Sequence, residues 1–166
     1  MSKYNGLYEN KKEFEEHRNN NCYTYAINQP FNPYTNEPYS EYIQCQPGYL
    51  GGKGETPEST IFDKRIIDLA RKDLKLLGYE LVESTLEEYI DEEVCWKVAF
   101  CYDDSCDYHW YRQNFNGTWS HKIGTKPVKN IDEDDNIISN PEKCNRGVYK
   151  NFVGYYIIKR IINEVS

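Results

Sequence analysis

Three histidines and six cysteines (Cys22, Cys45, Cys95, Cys101, Cys106 and Cys144) are the side chains of this 166-residue chain best suited to nucleophilic or proton-transfer chemistry. Two of the histidines, His109 and His121, share one stretch, DYHWYRQNFNGTWSHKIG (107–124), which reads as two short aromatic strands joined around Asn116-Gly117. A lone buried histidine is usually a hydrogen-bonded core residue, whereas two on one surface suit proton transfer. His17 lies in a charged stretch and reads as a surface residue.

The loop length decides where the two imidazoles point, because strand side chains alternate faces. A two-residue turn at Asn116-Gly117 sets Arg112 opposite His121 and puts the histidines on opposite faces. A three-residue loop, Phe115 to Gly117 with Gly117 left-handed, sets Tyr111 opposite His121 and puts both histidines on one face. The second register also groups His109, Tyr111, Gln113, Trp119, His121 and Ile123 against the more polar set Trp110, Arg112, Asn114, Thr118, Ser120 and Lys122. That register is the expected one, with both histidines on the buried face.

A base needs a nucleophile, and Cys22 is the candidate. It follows Asn19-Asn20-Asn21, residues that favour turns and helix caps, so it should sit in the first turn of a helix. Free backbone N–H groups there favour a thiolate, and a thiolate beside an imidazole performs acyl transfer. The remaining cysteines read as buried small apolar residues, reduced rather than disulfide-bonded.

Other constellations are weaker. Cys101, Cys106 and His109 form C-x4-C-x2-H, which Cys95 or His121 could complete as four zinc ligands, but the spacing departs from the usual zinc patterns. The run Asp132 to Asp135 resembles a calcium loop in charge alone. Asp107, two residues before His109, competes with His121 as the group that orients it. No metal and no cofactor is expected.

These residues need elements to hold them. Lys11 to His17 reads as a charged helix within a helical extension over 1–19, and CYTYAI (22–27) as a short apolar segment ended by Asn28 and Pro30. Residues 29–57, rich in Pro, Gly, Asn and Tyr, read as a long loop or flap. From Pro57 apolar residues recur at helical spacing until Gly78. Strand-like runs follow at 79–83, 94–102, 108–114, 118–123 and 152–158, so the expected class is a single α+β domain over 1–166.

The net charge of −7 argues against a nucleic-acid or anionic-membrane surface. Neither a secretory leader nor an apolar run of membrane-spanning length is read, so the chain is expected to be soluble and cytoplasmic as synthesised, with release by lysis or dedicated export left open.

The order of a helix-starting Cys, a His opening a strand and a second His on the next strand resembles the NlpC-type cell-wall peptidases of the papain-like fold. NNCYTYA is similar to the related CHAP amidases, and DYHWYRQ…GTWSHK to a little-characterised bacterial and viral group. The resemblance implies a papain-like fold in which an N-terminal Cys helix packs on a twisted antiparallel sheet. It also implies Cys22 as nucleophile, His109 as base and acid, and His121 as the orienting group. The expected activity is a cysteine peptidase or amidase acting through a Cys22 thioester on a peptide or peptidoglycan-like substrate. A protein-targeting deamidase or protease effector is the alternative within that chemistry. A non-catalytic module binding peptide or carbohydrate through the tyrosines of 29–50 is the alternative outside it.

Overall fold

Apolar alternation is strongest in the second half of the chain, and the sheet forms there. The computed structural model describes residues 4–5, 7–8, 17–40, 45–52, 64–91, 93–104 and 107–162. Two antiparallel two-residue ribbons lie in the first part, β1 (Tyr4–Asn5) with β2 (Leu7–Tyr8) and β3 (Phe31–Asn32) with β4 (Glu37–Pro38). The helices are α1 (Cys22–Ala26) and α2 (Ile66–Leu76). The strands β5 (Tyr79–Ser84), β6 (Cys95–Tyr102), β7 (Tyr108–Gln113), β8 (Trp119–Ser120) and β9 (Asn151–Arg160) form one antiparallel sheet in the order β5-β9-β6-β7-β8.

Each face of the sheet has its own core. Val98, Phe100, Tyr108, Trp110, Tyr156 and Ile158 pack against Tyr23, Ala26 and Ile27 from α1 and its end, and against Ile66, Ile67, Ala70 and Leu74 of α2. On the opposite face Ala99, Cys101, Tyr111, Trp119 and Tyr155 pack with Ile138, and with Cys144 and Tyr149 at the edge of the cluster. That second face is covered by the irregular chain between β8 and β9.

The papain-like expectation is corrected here. Among the described residues the structure is dominated by antiparallel strands, and no long N-terminal helix forms a layer on the sheet: α1 has five residues. The cause is local. Asn21 starts the helix as expected, but Asn28 adopts φ +55 and Pro30 follows, so propagation stops after little more than one turn. Within the expected helical extension, Tyr4–Asn5 and Leu7–Tyr8 pair as a β ribbon instead of a helix; the charged stretch Lys11 to Glu16 lies outside the described residues.

The strand expectations fit the sheet, with one shortfall. The hairpin has the three-residue loop: Arg112 faces Ser120, Asn114 N–H donates to Thr118 O at 2.7 Å, and Gly117 has φ +86. However, β8 ends at Ser120, and His121 pairs with Lys129 instead of continuing beside β7. Two side chains also lie elsewhere than expected. His17 is buried, its Nδ1 2.6 Å from Asn20 Oδ1 and its ring edge-on to Tyr25. Lys122 is buried with its ammonium on the carbonyls of His17 (2.6 Å) and Arg18 (3.3 Å).

Candidate functional site

Asn21 builds the start of α1. Its side chain accepts the Thr24 N–H (2.9 Å), its own N–H donates to Thr24 Oγ1 (3.1 Å), and its Nδ2 donates to Cys45 O (2.7 Å). The far end is held from the sheet. Trp96 Nε1 donates to Ala26 O (2.8 Å), and Arg112 donates to Tyr25 O (3.1 Å) while lying over the Tyr25 ring. A segment too short to be a stable helix alone is thus fixed by tertiary contacts at both ends.

The half-buried Cys22 thiol lies against β7, where β8 pairs only with Arg112 and Gln113. Burial pushes the thiol up to about 12, reinforced by the Asp107 charge and opposed by the backbone N–H groups of Trp110, Tyr23 and Cys22 itself. The expected lowered thiol is therefore corrected. Three N–H groups reach the sulfur, no cation among the described residues offsets the burial, and desolvation of the charged form wins. Among the described residues no hydrogen bond joins Cys22 to His109; the thiol sits at Trp110, the next residue along the strand.

His109 and His121 are brought together, His109 Nε2 lying 2.7 Å from His121 Nδ1. Their tautomers follow from a neighbour. His121 Nε2 is 2.9 Å from the carbonyl oxygen of Ile131, which can only accept, so Nε2 carries the proton. Neutral His121 then offers its Nδ1 lone pair to the Nε2–H of His109, and His109 keeps Nδ1 unprotonated. Both rings are neutral near pH 7. Burial, then the neighbouring His121 and Lys129, hold His109 well below the usual imidazole range, and burial holds His121 down to about 4.

Asp107 does not bind the imidazole. Its Oδ2 accepts the Tyr149 hydroxyl at 3.0 Å, and the Tyr149 ring stacks on His109 with centroids 5.0 Å apart and planes 14° apart. Tyr111 meets His109 edge-on at 4.9 Å. His109 Nε2 meets His121 instead. Tyr149 had no sequence signal, lying far along the chain in an irregular connection.

A second unannounced residue is Asp73 of α2. Its buried carboxylate accepts the Tyr23 hydroxyl (2.6 Å) and the N–H groups of Gly48 (2.8 Å) and Gly51 (2.6 Å). It ties the turn at 47–50 to α1 beside the thiol. A loop region expected as a flap is thus anchored to both α2 and α1.

The zinc pattern is not assembled. Among the described residues no group of three or more His, Cys, Asp or Glu could hold a metal ion, and Cys101 Sγ lies 3.6 Å from the His109 carbonyl. Cys106 lies outside the described residues. The acidic run is a turn: Asp132 accepts the N–H groups of Asp134, Asn136 and Asn145. No described helix is long and apolar enough to cross a membrane.

The fold and site define an antiparallel-sheet protein with a tautomer-locked histidine pair beside a capped cysteine. The chain belongs to the family of insoluble matrix shell protein 1 from Ruditapes philippinarum, to which it is 31% identical over 140 residues, covering 83% of this chain and 78% of that protein. No family model matches the chain. No solved structure matches it either.

Proposed function

We propose that the chain is a cysteine acyl-transfer enzyme that cleaves a peptide-type amide, with Cys22 as nucleophile, His109 as base and His121 as the group that fixes the His109 tautomer. The observation that carries this reading is the bond series from Ile131 O through His121 to His109, which leaves the His109 Nδ1 lone pair as the one site able to take a proton. The Cys22 S–H proton moves to Nδ1 as sulfur attacks the carbonyl carbon. The imidazolium then protonates the leaving amine, and water hydrolyses the thioester, giving up a proton to His109 and returning the thiol. Since thiol and imidazole rest neutral, this proton transfer belongs to the reaction and not to the resting state.

Reaction with iodoacetamide at pH 7.5, followed by peptide mapping, tests the reading. Burial pushes the Cys45 thiol to about 12 as well, so Cys45 is an internal reference with a similar ionisation and no imidazole partner. Cys22 should react at least about tenfold faster than Cys45, and His109→Ala should abolish the difference, since general-base assistance is worth that much or more. Equal rates in the folded wild-type protein would refute the proposal.

A second reading is favoured by the family: the relative's name describes an insoluble matrix protein. On that reading the chain is a non-catalytic matrix component and the histidine pair is core structure. An inert Cys22 in a folded chain is its expected result.

A further inference from the structure

The in-plane bond to His121 fixes one edge of the His109 ring but not the plane of the ring. The connection between β8 and β9 supplies a second constraint, and it is built for the purpose around two charged hubs. Arg146 donates to the carbonyls of Pro141 (2.9 Å), Glu142, Tyr149 (2.9 Å) and Lys150 (3.1 Å), curling 141–150 about one guanidinium that also lies over the Phe152 ring. Asp132 accepts the Asn145 N–H at 3.1 Å, and Asn140 Oδ1 accepts the hydroxyl of Tyr155 on β9 at 2.6 Å, so the curled segment is tied to the neighbouring loop and to the sheet. The side chain this segment delivers to the site is Tyr149. Its ring lies nearly parallel to His109, and its hydroxyl ends on Asp107, whose other oxygen accepts the Tyr108 N–H at 2.8 Å.

We propose that Tyr149, anchored by Asp107, is a positioning residue that holds the His109 ring in the plane from which it bonds His121, and so in the tautomer that this bond fixes, as it must be to act as a base. The proposal rests on reading His109 as the base, but the positioning itself is measurable without any reaction. A parallel ring in contact with one face, with Tyr111 edge-on, confines rotation about the bond to the imidazole. The phenol–carboxylate bond in turn confines Tyr149. Asp107 is exposed and reaches the histidine ring through the tyrosine.

The test combines long-range ¹H–¹⁵N NMR of the histidine rings with Cys22 alkylation by iodoacetamide in wild type, Tyr149→Ala, Tyr149→Phe and Asp107→Asn. Wild type should show His109 as a single Nε2-protonated tautomer. Tyr149→Ala should show mixed tautomers at His109 while the His121 Nε2–H signal persists, and its alkylation should slow about tenfold, the size expected for a misplaced catalytic group. Tyr149→Phe keeps the stack and Asp107→Asn keeps an acceptor, so each should stay within about threefold of wild type, as expected when a single exposed bond is lost. If Tyr149→Ala does not fold, Tyr149→Leu, which keeps bulk without an aromatic face, carries the same comparison. An unchanged His109 tautomer and alkylation rate in the folded variant would overturn the proposal. A wild-type Cys22 that is inert, with the His109 tautomer still mixed in Tyr149→Ala, would uphold the positioning role and defeat the enzymatic reading.

Discussion

His109, His121 and His17 share an energetic fact: each is a neutral imidazole in a buried setting. Burial holds His17 and His121 down to about 4 and His109 well below its ordinary value. In the unfolded chain all three revert to about 6.5 and bind protons more readily. Between about pH 6.5 and 4 the unfolded state therefore holds more protons on these histidines than the folded one, so their contribution to stability falls on acidification through that window and is constant above it. Each of His17 and His121 contributes up to about 1.4 kcal/mol per pH unit there, the linkage slope of one proton. Urea midpoints measured from pH 7.5 to 4.5 should fall steeply below pH 6.5, and His17→Gln should remove part of the slope. A flat profile would mean that the histidines protonate within the folded state. At this scale the sequence brought His109 and His121 to one face, where the rings do meet, but read the buried His17 as a surface residue. Its burial comes from Asn20, Tyr25 and a lysine far along the chain, none of which its charged neighbours announce.

The hairpin carrying the histidine pair depends on one backbone conformation. Gly117 has φ +86, and nothing lies within 4 Å of the position a Cβ would take, so a substitution there is penalised by the backbone alone. Gly117→Val should lower stability by about 1–2 kcal/mol, the cost of a β-branched residue at positive φ, and should loosen the pairing of β7 with β8. Chemical denaturation with NMR of the Thr118 and Trp119 amides checks both; an unchanged unfolding midpoint would remove the register argument. This element was legible because its alternation and its Asn-Gly turn agree. The early end of β8 was not. Thr118 to Ile123 continue to alternate, yet His121 leaves the ladder to pair with Lys129, and Lys122 turns inward to the carbonyls of residues 17 and 18. Those partners are remote in sequence, so nothing local announced them. The α1 segment shows the converse. Its start and stop signals were readable, but its brevity left it unable to form the helical layer that the family resemblance implied.

The sheet order makes the whole molecule depend on β9. That strand lies between β5 and β6, pairing with β5 from Tyr79↔Arg160 to Ser84↔Tyr155 and with β6 from Cys95↔Lys159 to Tyr102↔Asn151. It follows all the other strands in the chain, so neither β5 nor β6 has its inner neighbour until β9 docks. Both cores close with it, because Tyr156 and Ile158 belong to one and Tyr155 to the other. The catalytic candidates hang on the same event, since β7 and His109 reach β9 only through β6. Contacts of such sequence separation close late and are protected together. Native-state hydrogen exchange should therefore find the amides of Tyr155 to Ile158 opening only with global unfolding. The Trp119 and His121 amides, bonded to the irregular loop at Ile138 and Lys129, should open at lower free energy. If β8 and the His121 bridge prove as protected as β9, the histidine site is part of the global core. The imidazole pair would then be rigid independently of Tyr149. The opposite result places the site on the more mobile side of the sheet, where the loop delivering Tyr149 can decide the geometry of His109.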